Sequence, residues 1–511
     1  MTHGSRALPS GLATALVFGA SGAVLVLEIT ALRLVAPYVG VTLETSSAVI
    51  GTALAAIAYG AFAGGRLADR HDPRRLLAPA LLLAALASAL TLPLVRYAGE
   101  ALRGGGAGGV LLLTGLAVLV PAGLLSAVTP LVIKLQLADL RHTGQVVGRL
   151  SGIGTLGAIT ATLVTGFVLV AALPTSVITL TLAALLGVGG LALAGYLRRA
   201  GGAVRTGGAG AGDRPAVGGR AALAVLGLVG AGATGLAPSP CAVETAYHCA
   251  VVRADPQRPT GRLLLLNSAA HSYVDMADPT HLQFAYTRWI GALADVAAPP
   301  GRPVTALHLG GGGFTLPTYL AATRPGSRSV VFEVDGGLVA LARERLGVRP
   351  GPGLRVAVGD ARVRLAAEPD RAHDLVVGDA FGHLAVPWHL STRELFGDVE
   401  RVLRPDGLLA QNVIDYPPFR FLRAELATVG AVFPHVAVAA SPSVLAGERG
   451  GNFVIVASRA PLPLARWRDR LDAVAGEPVT VRSGAPLAAF VGGARVLTDD
   501  HAPVDQLLTL R

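Results

Sequence analysis

The chain has 511 residues, too many for one ordinary domain, and 52% of them are hydrophobic against 15% charged. That balance excludes a single water-soluble globule, and it is uneven: residues 11–237 carry long apolar runs, whereas 238–511 have ordinary globular composition. The formal charge of +10 does not point to nucleic acid, because the arginines and the single lysine, Lys134, form no basic stripe interleaved with aromatics.

A bilayer-spanning helix needs about 20 apolar residues. Seven segments qualify: roughly 11–35, 46–65, 76–95, 109–128, 150–172, 175–197 and 221–237. The first is too long for a signal peptide and carries Glu28 and Arg33. Basic residues mark the cytoplasmic connections. They gather at 64–75 ("GGRLADRHDPRR"), at Lys134, Arg141 and Arg149, and at Arg198, Arg199, Arg205, Arg214 and Arg220. The first and fifth connections have none. The even connections and the N-terminus are therefore expected in the cytoplasm, and the protein is expected to be a multi-pass cell-membrane protein in contact with the lipid bilayer. The short, Gly-rich seventh segment decides the rest. If it spans, residues beyond it lie outside; if it is re-entrant, they stay inside. Cys241 and Cys249 follow it, either as a disulfide in an oxidising compartment or as two inert thiols.

After Pro240, "AYHCAVV", "RLLLLN" and "SYVD" alternate with turn residues and predict a small antiparallel β-unit, followed by a helix over 279–297. Strands and helices then alternate. Strands are expected at 304–309, 329–334, 354–358, 374–379 and 407–413, with helices at 315–323, 336–346, 361–367, 391–403 and 418–429 between and after them. Strands near 435–440 and 452–457 close the pattern. Such alternation predicts a doubly wound sheet that binds ligands at the carboxyl ends of its strands. Four such ends carry suitable residues: the glycines 310–313, Glu333, Asp360 and Asp379. Glycines let a ligand approach the backbone, and a carboxylate at the end of the second strand can accept ribose hydroxyls. Any one of these Asp residues could instead be a helix cap. No Cys/His or HxxxH spacing suggests a metal site.

Residues 243–506 resemble the spermidine synthase (polyamine aminopropyltransferase) family. The resemblance rests on "ETAYHCAVV", "RLLLLNSAAHSYVD", "HLQFAYTRWI", "LGGGG", "FEVD", "GDA", "DAF" and "TDDHAPVDQL", which occur in the family's order. The whole chain resembles bacterial fusions of a transporter-like, major-facilitator-like helix bundle to such a domain. The resemblance implies a multi-pass membrane domain over 1–237 with six to seven helices, then a β-unit with a helix over 238–300. It implies a class I S-adenosylmethionine-methyltransferase-like (Rossmann-like) domain over 301–511. It implies a nucleoside donor, decarboxylated S-adenosylmethionine or S-adenosylmethionine itself, an amine acceptor and no metal. A homo-oligomer is left open.

By the same resemblance, Gly310, Gly311 and Gly312 hold the methionine-derived part of the donor, Glu333 the ribose and Asp360 the adenine. Asp379 is the general base, Tyr286 the active-site tyrosine, and His248 and His271 stand where the family has two glutamines. Three departures lie at the acceptor end. Gly313 and Gly382 replace family aspartates, and Arg288 replaces an acidic residue. The activity implied is transfer of an aminopropyl or related group to an amine. A methyltransferase on the same fold, and a non-catalytic ligand-sensing domain on a transporter-like bundle, are the alternatives.

Overall fold

The structure, a computed structural model, describes residues 8–40, 43–103, 106–137, 140–202, 239–267, 269–382 and 385–508. The chain divides into two compact units, Met1–Pro240 and Cys241–Arg511.

In the first unit, six helices among the described residues are long and apolar enough to cross a membrane, by length and composition. They span Ser10–Val39, Leu43–Arg70, Pro73–Ala101, Gly106–Gln136, Thr143–Ala172 and Thr175–Arg199. The seventh candidate, 221–237, lies outside the described residues. Small residues bring the helices together: a Cβ on Gly60 or Gly64 would run into the backbone at Gly123 or Ala127. Contacts at the helix ends agree with the charge pattern. Lys134 Nζ pairs with Asp69 at 2.7 Å, which joins the second and fourth connections at one end. Gln136 donates to the carbonyl of Leu8 at 2.7 Å, so the N-terminal segment is at that end too. Arg103, in the third connection, donates to the carbonyl of Pro37 at 3.0 Å and so marks the opposite end. Orientation then follows from the basic connections. Arg70→Cys should resist an impermeant thiol reagent in intact cells, while Arg103→Cys should react. The reverse pattern would invert the bundle.

The second unit begins with a four-stranded antiparallel meander: β1 (Val243–Glu244), β2 (Cys249–Ala254), β3 (Gly261–Leu266) and β4 (Ala269–Asp275). Cys241 and Cys249 form a disulfide at its start. The main sheet has eight strands. They are β5 (Thr305–Leu309), β6 (Arg328–Glu333), β7 (Leu354–Val358), β8 (His373–Gly378), β9 (Leu403–Asp415), β10 (His435–Ala440), β11 (Gly451–Ser458) and β12 (Thr480–Ser483). Their order is β12-β10-β11-β9-β8-β5-β6-β7. β5 to β9 run parallel, and β10, β11 and β12 add antiparallel pairings. This is a Rossmann-like sheet, preceded by the small β-unit the sequence predicts.

The central strands are apolar on both faces because helices cover both; Ala306, Leu307, Val376, Val377, Leu409 and Ala410 are fully buried or nearly so. The strand order reverses between β5 and β8, so the crevice opens at their carboxyl ends. Three details differ from expectation. The helix expected over 279–297 begins at Ala285, because Asp278 accepts from Thr280 and holds the preceding residues in a turn. β9 begins at Leu403 and extends to Asp415. Helix Leu464–Val474, β12 and helix Gly484–Val491 follow the last expected strand.

Candidate active site

The turn after β5 is shaped by its backbone. Gly310 and Gly312 have φ of +99° and +49°, in the left-handed region that favours glycine. A Cβ on Gly310 would run into the carbonyl of Asp379, so glycine is what lets the ends of β5 and β8 close on each other. Ser272 on β4 accepts the N–H of Gly313 at 2.9 Å and ties the small sheet to this turn. A Cβ on Gly313 would lie 2.7 Å from that of Ser272. The space for a side chain at position 313 is therefore already taken, whereas Gly382 has open surroundings.

Glu333, at the end of β6, is buried, and its carboxylate faces this turn. One oxygen accepts the N–H groups of Gly311 and Gly312 at 2.8 and 3.2 Å; the other accepts that of Asp335 at 3.0 Å. A carboxylate oxygen has two acceptor sites, so one remains open for a ligand hydroxyl. Glu333→Ala would leave three N–H groups without this acceptor. We expect a stability loss of about 1–3 kcal/mol together with weaker binding of an adenosyl ligand, read by thermal melting and calorimetry. Unchanged values in both would remove Glu333 from the site.

Asp360 caps helix Ala361–Leu365, accepting the N–H groups of Arg362 and Val363, and its second oxygen meets His389 Nε2 at 2.9 Å. The capping role and the position at the end of β7 coexist in this residue. His248 Nδ1 lies 3.0 Å from the buried carboxylate of Asp335, which caps the next helix, Gly336–Arg345. His248, in the turn before β2, and His271, on β4, are brought together with ring centroids 6.5 Å apart.

Asp379 follows β8. The Tyr286 hydroxyl donates to one of its oxygens at 3.1 Å, and Asn412 Nδ2 donates to the other at 2.8 Å. Asn452 in turn donates to Asn412 at 3.0 Å. Burial pushes the Asp379 carboxyl up to about 6, against the bonds from Asn412 and Tyr286, which lower it. Burial also drives the Tyr286 phenol well above its usual range, with the neighbouring Asp379 charge adding to the effect. Tyr286 is thus a neutral donor beside a carboxylate.

A cavity of about 450 Å³ opens over this group. It is lined by Tyr286, Asp379, Gly311, Gly312 and His271, with Ser272 beside them. Gly310, Glu333, Asp360 and His248 are not in its lining, and neither is Trp388, which is half exposed. Asn412, Asn452, Gln283 and Glu477 complete the polar wall, and sequence reasoning missed all four. Asn412 carried one signal: with Gln411 it interrupts the apolar run of β9 between Leu408 and Ile414. Among the described residues, no group of acidic, His or Cys side chains is arranged to hold a metal ion.

No family model matches the chain. A polyamine aminopropyltransferase of Vibrio vulnificus (strain CMCP6) is 30% identical over 193 residues, covering 37% of this chain and 61% of that protein. Polyamine aminopropyltransferase 2 of Streptomyces coelicolor is 31% identical over 206 residues, covering 35% of this chain and 36% of that protein. The chain therefore spans less than two thirds of either curated relative. Among solved structures, a probable spermidine synthase from Corynebacterium glutamicum ATCC 13032 aligns with a TM-score of 0.47 and 29% identity, over 52% of this chain and 96% of that one.

Proposed function

We propose that the second unit is an aminopropyltransferase-type enzyme carried by a membrane helix bundle. It transfers an aminopropyl or related group from an S-adenosylmethionine-derived sulfonium to an amine. The observation that carries this reading is Asp379, held by Tyr286 and Asn412 at the edge of a cavity that also contains the Gly311–Gly312 turn. The names of the two curated relatives support it.

The donor supplies a carbon bound to a positive sulfur. On transfer, the C–S bond breaks with its electron pair passing to sulfur, leaving a neutral thioether, while a C–N bond forms. The chain's residues prepare the acceptor. A primary amine with a pKa near that of lysine is almost wholly protonated at neutral pH. Asp379 takes its proton, and Tyr286 keeps the carboxylate oriented. The buried carboxyl, at about 6, is ionised at neutral pH and is a stronger base than an exposed aspartate. Gly310 to Gly312 leave room for the donor's chain, and Glu333 and Asp360 stand at neighbouring strand ends for ribose and adenine.

The test is product analysis. Purified full-length protein is incubated with decarboxylated S-adenosylmethionine, S-adenosylmethionine or neither, and with a panel of amines. Formation of an aminopropylated amine and a stoichiometric thioether nucleoside is the expected result. A methylated product would transfer the reading to a methyltransferase. Donor binding with no product from any amine would support the sensing role.

A further inference from the structure

Resting on this transfer reading, we infer that the acceptor is a monoamine whose far end is a neutral hydrogen-bonding group, such as a hydroxyl or an amide, rather than a second ammonium. The feature that carries this is the Arg288–Glu477 pair in the wall of the cavity that holds Asp379.

Arg288 is on the first turns of helix Ala285–Val296, beyond Tyr286. Its guanidinium is fixed. Nε donates to the carbonyl of Ala475 at 2.6 Å, and one terminal nitrogen donates to those of Gln283 and Leu282 at 2.7 and 3.3 Å. The other terminal nitrogen makes no hydrogen bond among the described residues and lies 3.7 Å from Glu477. A guanidinium does not deprotonate in a protein, so this is a permanent cation in the cavity wall. Among the described residues, no hydrogen bond joins this pair to the chain of Tyr286, Asp379, Asn412 and Asn452.

The permanent charges and carboxylates of the lining then decide the acceptor. Arg288 and Glu477 cancel, and Asp379 leaves one negative charge when ionised. One ammonium gives its proton to Asp379 and attacks as the neutral amine; with the donor's positive sulfur also present, no negative charge is left for a second. A second ammonium would have to lie beside a cation that cannot move. A carboxylate tail would face Glu477. A hydroxyl or amide suits what is there: free N–H groups on Arg288, acceptor oxygens on Glu477, and the side-chain amides of Gln283 and Asn452, which serve either way. Phe284, Phe381 and Ile414 supply an apolar wall for a short alkyl spacer between the two ends.

The experiment compares acceptors of equal length, 4-amino-1-butanol, 1,4-diaminobutane and 4-aminobutanoate, on the full chain with saturating donor. The amino alcohol should exceed both others in kcat/KM by about tenfold or more. Arg288→Gln keeps an amide donor for the backbone carbonyls and removes the charge. It should cut the preference for amino alcohol over diamine by about tenfold. Glu477→Gln, which leaves Arg288 in place, should raise the relative use of 4-aminobutanoate, and it serves if Arg288→Gln does not fold. Diamine as the best wild-type acceptor, or ratios unmoved in the folded variants, would overturn the inference. If no amine is alkylated, the transfer reading fails. Calorimetry of the three compounds against the wild type then ranks them directly, and diamine in first place would overturn the inference independently.

Discussion

Asp379→Asn should lower turnover by about 100- to 10,000-fold, the usual range for loss of a general base, and should also make the protein more stable at pH 8. The two effects share a cause. Burial raises the folded-state pKa from 3.8 to about 6. A raised acid contributes stability that is present below the unfolded value and lost as pH rises through the folded one. Above pH 6 the wild type therefore holds an ionised carboxylate that burial disfavours, at a cost of up to about 3 kcal/mol. Asn keeps the shape and carries no charge. Its carbonyl can accept from Asn412, and its amide can donate to the Tyr286 oxygen if that hydroxyl turns. We expect a gain of about 1–2 kcal/mol at pH 8 and little gain at pH 4, measured by thermal unfolding. Wild-type kcat/KM should rise with pH through about 6 as the base ionises, and the variant should lack that limb. Donor binding should survive, because Glu333 and the glycine turn are untouched. Full activity in Asp379→Asn would remove the general base. Lost activity with lost stability at pH 8 would mean that Asp379 is a structural residue.

The legible parts of this protein are those in which one segment is sufficient to decide. The strand expected at 354–358 is matched to the residue by β7, because it is a short apolar stretch bounded by "GPG" and "GD". Glu333, Asp360 and Asp379 were legible as site candidates because each ends such a stretch beside a turn. Six helices long and apolar enough to cross a membrane were legible from length and apolarity. What was hidden depends on partners far apart in the chain. Asn452 pairs with Ile414 in the antiparallel register of β9 and β11, which sets it diagonal to Asn412 and within hydrogen-bond reach. Nothing local to either residue announces that. Glu477 follows helix Leu464–Val474, beyond the last strand the periodicity predicts, and reaches the cavity through Arg288. Strand β12 has four half-buried residues and joins the sheet edge through β10, so it has neither the apolar run nor the alternation that marks a strand. The absence of a side chain at Gly313 was visible, but its packing reason, Ser272, was not.

The largest stability effect should come from a residue outside the cavity. Glu425 is fully buried on helix Arg420–Gly430, and among the described residues neither carboxyl oxygen has a hydrogen-bond partner. Burial raises its pKa from 4.5 to about 8, with the Ser391 hydroxyl a weaker influence in the opposite sense. Ser391 is itself buried without a bond in proper geometry. At neutral pH the folded chain thus keeps this carboxyl protonated, whereas the unfolded chain ionises it. The associated stability is fully present below about pH 4.5 and is lost as pH rises through about 8. The full span corresponds to at most about 5 kcal/mol, and relaxation around the charge brings the expected change to about 2–4 kcal/mol. Glu425→Gln retains the shape without the titration, and Glu425→Met also removes the polar atoms that burial penalises. Both should unfold at a higher temperature than the wild type at pH 8.5, with the difference shrinking steadily toward pH 5. Asp379 and Asp415, both raised to about 6, also titrate in this range, but they do so in the wild type and the variants alike and cancel in the comparison. A difference that does not change with pH would show that Glu425 has found a partner in solution and is not held neutral.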